Sequence, residues 1–367
     1  MYGSAVRQGQ GTPAGRAADN NMDKLQNQVL KFIRENDLIR RGNAVTVGLS
    51  GGADSVCLLL VLKDLRQLLK IRLQAVHVNH QLRGDEAVRD EAFCRELCSR
   101  FGVPFSAVSV NVRAFVGSSG MTEEEAARTL RYEALQKAAA AFAAEMQEPD
   151  RQDLKTPGRA VVAVAHHADD QAETILLNLL RGSGLKGLGG MRPKRDNIIR
   201  PLLGLSRSSI RDYLAERNIS FVEDSTNFEN DHTRNRIRNV ILPEMEQSVN
   251  DRAAEHLAAA GAVILEADDY LAAEAAAFLE AGDPAEQQGD VRRISLRQTL
   301  LKEKAQIFRR YVIIEALRRL GVPLKDWGRQ HFSEIDAALF KPKGTHLDLP
   351  GGVCADNQYR ETVLSKK

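Results

Sequence analysis

Cysteine is scarce in this sequence, four residues in 367, and the four form no metal-binding or redox spacing. Cys57 and Cys354 stand alone, and Cys94 and Cys98 are four residues apart. That pattern excludes a disulfide scaffold and a cysteine-ligated zinc module, and it points to a reduced, cytoplasmic setting. Long apolar runs are missing too. Nothing approaches the ~20 consecutive apolar residues of a bilayer-spanning helix, and the first residues lack the apolar centre of a secretory signal. No membrane role is expected. Nor does one sign of charge dominate, with 51 Lys and Arg against 49 Asp and Glu. The balance conceals a local excess: between Arg181 and Arg211 lie eight basic residues and the single acid Asp196, a net of +7. Such a stretch suits a polyanionic partner, with Arg181, Lys186, Lys194 and Arg195 as candidate contacts.

The length leaves room for two or three domains. Residues 1–21, rich in Gly, Gln, Ala and Asn, are expected to form a disordered extension. From 22 to 249 the patterns alternate. An amphipathic helix over Lys24 to Asn36 is followed by strands at Arg72 to Val78 and Phe105 to Val110, with a helix from Glu86 to Phe101 between them. Thr122 and Glu125 form a capping box that opens a long helix. A polar linker, 147–158, precedes the near-continuous apolar strand Ala160 to Ala165, which reads as buried on both faces. This alternation predicts an α/β fold with a Rossmann-like parallel sheet and a ligand site beyond the carboxyl ends of its strands. From 250 to 367 the texture is Ala-rich and helical, predicting a smaller, mainly helical domain that closes on a hairpin near Pro350-Gly351-Gly352. There is no internal repeat.

The most informative segment is Val45 to Leu62, an apolar strand, the turn Ser50-Gly51-Gly52-Ala53-Asp54-Ser55, and an apolar helix. This arrangement aims backbone N–H groups at a phosphate on a helix N-terminus. It is not a Walker A loop, because Ala53 and Asp54 stand where that loop carries Lys. An acid beside bound phosphates implies a metal, and hard oxygen ligands favour magnesium. A second block, AVHVNHQLR at 75–83, puts His77 and Asn79 on one face at a strand end. A third, AHHADDQAET at 165–174, places His166, His167, Asp169 and Asp170 directly after the buried strand. There Asp170 and Glu173 also have the positions of ordinary helix-capping acids. A fourth, EAARTLRY at 125–132, sets Arg128 and Arg131 three apart, both able to pair with phosphate. The glycine-rich RGSGLKGLGGM at 181–191 reads either as a surface loop or as backbone that approaches a substrate closely. Arg234, Arg236 and Arg238, at alternate helix positions, are expected to serve different contacts.

The SGGADS turn resembles the pyrophosphate-binding loop of the N-type ATP pyrophosphatases, the PP-loop enzymes. Together with AVHVNHQLR, EAARTLRY, AHHADD, RGSGLKGLGGM and the segment from Glu223 to Arg238, it resembles the tRNA(Ile)-lysidine synthetase family within them. The resemblance implies ATP-dependent ligation of L-lysine to C2 of the wobble cytidine of the CAU-anticodon tRNA(Ile). An adenylated cytidine is the intermediate, and lysidine, AMP and pyrophosphate are the products. Carried onto this sequence, it makes Ser50, Gly51, Gly52, Ala53, Asp54, Ser55 and His77 the ATP contacts and assigns magnesium to Asp54 and Asp170. His166 is placed near the reacting phosphate, Arg128 at the α-phosphate, and Arg236 against RNA. Longer members carry a second C-terminal domain, which is expected to be absent here. The helical domain offers a surface for a homodimer. The alternatives are a PP-loop enzyme that thiolates tRNA, which needs a cysteine pair or an iron–sulfur cluster, and a non-catalytic nucleotide-binding regulator. The regulator would have little need for two His, two Asp and a basic surface together.

Overall fold

The computed structural model describes residues 22–82, 84–145, 159–223, 233–282, 286–288 and 291–366. The expected extension 1–21, the linker 147–158, Arg83 and residues 224–227 lie outside them. The chain divides into two compact units at Gly261. The first runs through α1 (Lys24–Glu35), β1 (Ala44–Gly48), α2 (Ala53–Leu69), β2 (Arg72–Asn79), α3 (Asp85–Phe101), β3 (Phe105–Ser109), α4 (Val112–Ser119) and α5 (Glu123–Ala144). It continues with β4 (Ala160–Ala163), α6 (Ala168–Leu180), α7 (Leu185–Leu188), β5 (Lys194–Arg195), β6 (Ile198–Ile199) and α8 (Arg207–Glu216). α9 (Thr233–Arg236), a π-helical turn (Ile237–Ile241), α10 (Leu242–Ser248) and the first part of α11 (Ala253–Gly282) follow.

The sheet has the order β3-β2-β1-β4-β6-β5. Its first five strands run parallel and β5 lies antiparallel on the edge. Successive strands run outward from β1 through β2 to β3, and then the chain returns to β4 on the other side of β1. The strand order therefore reverses between β1 and β4, where an open α/β sheet has its crevice. The local chemistry agrees with this path. Asp23 and Gln26 close a capping box on α1, whose Leu25, Val29, Leu30 and Ile33 are buried. α2 is buried along most of its length because Val56 to Leu62 is apolar on every face, and Leu58, Leu59, Leu62 and Leu65 join Ile33, Ile210 and Leu214 in the main core. Leu135 and Ala139 of α5 pack with Val76, Val162, Val164 and Ile198 in a second cluster.

The expected boundary at 249/250 falls earlier than the observed one. The first turns of α11 belong to the first unit, because Ala254 packs with Ala172 of α6 and Leu242 of α10. The second unit, Ala262–Lys367, is helical as expected, with α12 (Gln298–Leu301), α13 (Gln306–Arg319) and α14 (Arg329–Ala338). It also contains an antiparallel five-stranded sheet that periodicity alone did not reveal. The expected hairpin is part of it, as β9 (His346–Leu349), β10 (Val353–Asn357) and β11 (Glu361–Lys366). β8 (Val291–Arg297) and β7 (Glu286–Gln288) extend the sheet, so that its order is β7-β8-β11-β10-β9. Asn357 ties this sheet to α14: its Nδ2 donates to the carbonyls of Ala338 at 2.6 Å and Lys341 at 2.9 Å, while its Oδ1 accepts from Thr362 Oγ1 at 2.7 Å. Among the described residues no helix is long and apolar enough to cross a membrane.

Leu62 is fully buried in the α2 core that supports the β1 turn. Leu62→Ala is expected to cost about 2–5 kcal/mol through lost transfer energy and the residual cavity. Urea unfolding should then show a lower midpoint with an unchanged slope.

Candidate active site

The turn after β1 is built by its own side chains. Gly52 caps α2, and Gly51 sits at φ +94°, where a side chain would be strained and its Cβ would lie 3.4 Å from Cys94 Sγ. Ser55 Oγ donates to the Gly52 carbonyl at 3.0 Å and lies 3.1 Å from Ser50 Oγ, and the Ser50 N–H donates to Ser55 Oγ at 3.2 Å. The Gly51 carbonyl accepts from the Val222 N–H at 2.9 Å, which ties the turn to the segment after α8. The first N–H groups of α2, at Ala53 and Asp54, have no partner within the helix and are available to an anion. The buried His77 holds the turn from behind, its Nδ1 lying 2.9 Å from the Leu49 carbonyl.

A cavity of about 490 Å³ opens over this turn. Ser50 and Gly52 line it from the turn, Asp54 and Ser55 from the start of α2, His77 from β2, Arg131 from α5 and His166 from the segment after β4. Four of the expected site blocks thus meet at the β1/β4 crevice. Arg128 does not line the cavity and is exposed, one turn before Arg131 on the same helix. Arg131 lines the cavity, where the resemblance had implied Arg128.

His167 is the hub of the adjoining charge cluster, and its ring is fully buried. Its Nε2 lies 3.5 Å from both Asp54 Oδ2 and Asp170 Oδ2, and its Nδ1 lies 3.4 Å from Asp169 Oδ2. Burial disfavours the charged ring, but Asp170, Asp169 and Asp54 outweigh it and raise its pKa to about 10. It is an imidazolium. The neighbouring His166 behaves oppositely: burial, reinforced by Arg200, Arg131 and Arg128, overcomes the pull of Asp170 and lowers its pKa to about 3, so its ring is neutral. Two adjacent histidines are split by environment into one cation and one neutral ring.

Asp170 is held below the usual carboxylate range against the opposing effect of burial, by the His167 cation together with Arg238 and Arg234. Its Oδ2 accepts the His167 backbone N–H at 3.1 Å and its Oδ1 accepts from Arg238 at 2.8 Å. Glu173, 1% exposed, receives Arg234 Nε at 3.0 Å and two bonds from Arg238, at 2.5 and 3.0 Å. The three arginines near 236 therefore divide by face. Arg234 and Arg238, four apart, reach the same two acids, and Arg236 is exposed elsewhere. The available signal was that i,i+4 spacing. Its target, a helix about 65 residues earlier, was not in the local pattern.

The glycine-rich segment is pinned rather than loose. Gln171 of α6 donates to the carbonyls of Gly189 and Met191 at 3.1 and 3.0 Å and accepts from the Met191 N–H at 2.7 Å, and Asn178 donates to the Gly187 carbonyl at 2.7 Å. Gly190, at φ +69°, allows this clamp, since a Cβ there would fall 2.7 Å from Gln171 Oε1. Arg181, Lys186, Lys194 and Arg195 are exposed on or beyond the segment. Lys194 Nζ donates to the Asp37 carbonyl at 2.6 Å from the surface, Arg195 and Arg211 each lie 3.8 Å from an acid, Asp196 and Glu223, and Arg200 is buried.

A doubly wound sheet with a phosphate-cradling turn, an adjacent acid and a cavity at its switch point defines a nucleotide-binding α/β protein of the PP-loop class, and residues 21–245 match the PP-loop domain family. The chain is 34% identical over 346 residues to tRNA(Ile)-lysidine synthase of Caldanaerobacter subterraneus subsp. tengcongensis, covering 93% of this chain and 69% of that one. It is 38% identical over 245 residues to the enzyme of the same name from Clostridioides difficile, covering 66% of this chain and 50% of that one. Among solved structures, U34-tRNA thiolase NcsA from Methanococcus maripaludis shares the fold, with a TM-score of 0.52 at 17% identity over 66% of this chain and 78% of that one. The chain belongs to the tRNA(Ile)-lysidine synthase family, ATP-using ligases of tRNA modification.

Glu173→Gln removes the charge shared by Arg234 and Arg238. Each charge-assisted hydrogen bond contributes about 1.5–3 kcal/mol, and a loss of at least that size in denaturant-derived stability is expected. Unchanged stability would show the cluster to be energetically idle.

Proposed function

We propose that this chain ligates L-lysine to C2 of the wobble cytidine of the CAU-anticodon tRNA(Ile), through an adenylated cytidine, with ATP cleaved to AMP and pyrophosphate. The observation that carries the reading is the single cavity bordered by the Ser50–Ser55 turn, Arg131 and His166. It offers phosphate-binding amides next to a cationic wall that tolerates a second anionic substrate. In this reading the amides after Gly51 and the N-terminus of α2 hold the leaving pyrophosphate, and their charge needs no reorganisation during the reaction.

Two carboxylate oxygens from two elements, Asp54 Oδ2 and Asp170 Oδ2, lie within 3.5 Å of the same His167 nitrogen, and hard oxygen donors of this kind suit magnesium. Magnesium on these two carboxylates would neutralise charge on the pyrophosphate. His167 offsets the same acids from below and orients them. His166, neutral and far too weak a base to deprotonate an ammonium at neutral pH, acts as a hydrogen-bonding group at the cavity wall. The lysine amine must therefore lose its proton elsewhere before it attacks C2 and displaces AMP. Arg181, Lys186, Arg195 and Arg236, all exposed, supply candidate RNA contacts.

The thiolation reading shares the fold but asks for a reactive thiol. Cys57, Cys94, Cys98 and Cys354 are all buried, and burial pushes the Cys94 thiol up to about 12 and that of Cys98 up to about 11. Neither supplies a thiolate at neutral pH.

Incubation with ATP, magnesium, labelled lysine and total tRNA should label the CAU-anticodon isoleucine tRNA alone. Asp54→Ala and Asp170→Ala should each reduce that labelling by about 100-fold or more while the fold persists, on the scale of losing one transition-state electrostatic contact. Normal labelling in either folded variant would remove the proposed magnesium site. Replacing Arg181, Lys186 and Arg195 together by Gln should flatten the dependence of log tRNA affinity on log salt by roughly 0.7–0.9 per lost phosphate contact. Binding of ATP should not follow. An unchanged slope would move the RNA path to another surface.

A further inference from the structure

The terminal sheet of the second unit gathers nitrogen, sulfur and oxygen donors on one face of two paired strands. β9 and β10 run antiparallel, with His346 opposite Asp356 and Asp348 opposite Cys354. Residues two apart on a strand share a face, so these four side chains form a square, while Leu347, Leu349, Val353 and Ala355 belong to the other face. His346 Nε2 lies 3.3 Å from Asp348 Oδ1, and Cys354 Sγ lies 3.4 Å from the same oxygen. One donor atom from each of His346, Asp348 and Cys354 falls within 4.8 Å of the other two. On the opposite side of the imidazole, Nδ1 is 2.6 Å from Asp356 Oδ1. In the neutral ring this contact keeps the proton on Nδ1, which donates to the carboxylate, and leaves the Nε2 lone pair facing Asp348. A carboxylate behind the far nitrogen is the arrangement that orients metal-binding histidines.

The chemistry of the set selects the ion. Oxygen donors alone suit magnesium or calcium, whereas a thiolate with an imidazole and a carboxylate suits zinc. With Zn–N and Zn–O bonds of about 2.0–2.2 Å and Zn–S of about 2.3 Å, a tetrahedral site holds its donor atoms about 3.3–3.6 Å apart. Two of the separations here already have that size, and the third, no more than 4.8 Å, closes by small rotations of the exposed His346 and Asp348 side chains. Cys354 is buried at the base of the face, so an ion reaches it from the solvent side, between those two residues. We propose that His346 Nε2, Asp348 Oδ1 and Cys354 Sγ bind one zinc ion on the β9/β10 face, with water in the fourth position and Asp356 orienting the imidazole. On binding, the thiol proton leaves to solvent and the sulfur electron pair forms the Zn–S bond. The ion clips β9, the edge strand of the sheet, to β10. Cysteine spacing speaks against a module built on several thiolates. A site with a single thiolate is assembled by strand register, which that spacing does not report.

Cobalt(II), a spectroscopic substitute for zinc, tests the site in the full chain, with excess magnesium present to occupy sites made of carboxylates alone. Titration should produce thiolate-to-metal charge-transfer absorption that saturates at one equivalent and that added zinc abolishes. Cys354→Ser should remove this absorption. In zinc calorimetry under the same conditions, His346→Gln and Asp348→Asn should each weaken binding by about 10-fold or more. Asp356→Asn, which keeps an acceptor for Nδ1, should weaken it less. His346 and Asp348 are exposed, so their variants decide the matter should Cys354→Ser fail to fold. No charge-transfer absorption in the wild type, its persistence in folded Cys354→Ser, or wild-type zinc affinity in both His346→Gln and Asp348→Asn would overturn the site and leave the face as a cross-strand ion pair only.

Discussion

The site depends on the neutralisation of two buried carboxylates, Asp170 and Glu173, one turn apart at the start of α6. Ionised acids at such depth are tolerated only when cations and hydrogen bonds replace water. Here the cations come from far along the chain, Arg234 and Arg238 from α9 and the π-helical turn, and His167 from the residue that caps α6. The requirement recruits the 233–241 segment to α6, and through His167 it draws Asp54 of the β1 turn into the same field. The turn, the helix and the returning segment are thus positioned by one electrostatic condition.

That condition also divides the cavity region by sign. Acids gather around His167, beside the Ser50–Ser55 turn, while arginines gather around His166. The histidines differ in charge although they are adjacent in sequence. The peptide between them turns one ring towards Asp54, Asp169 and Asp170, and the other towards Arg131 and Arg200.

The Gln171 and Asn178 clamps serve the same architecture in a different way. They convert the glycine-rich segment from a free loop into a shelf on α6, so that the basic residues on either side of it are carried at defined positions relative to the crevice. Glycine matters there because the backbone lies too close to Gln171 for a side chain, not because the segment needs to move.

The sequence by itself determined the parts whose cause is local. Strand, glycine turn and apolar helix at 45–62 could fold in few other ways, the Thr122–Glu125 box marked the start of α5, and the alternation of apolar segments specified a parallel sheet with its crevice at the strand ends. Motif content placed Ser50 to Ser55, His77, His166 and Asp170 near one another. Tertiary structure alone decided which arginine of EAARTLRY faces the cavity, that Lys194 reaches the Asp37 carbonyl and that Arg200 is buried, that His167 rather than His166 carries the charge, and that β7 and β8 extend the terminal hairpin into a sheet. The physical reason is the same in each case. Periodicity and capping report on neighbours a few residues away, whereas charge state, burial and edge pairing depend on partners such as Arg238 and Glu173, or Val363 and Ser295, that only the folded chain brings together.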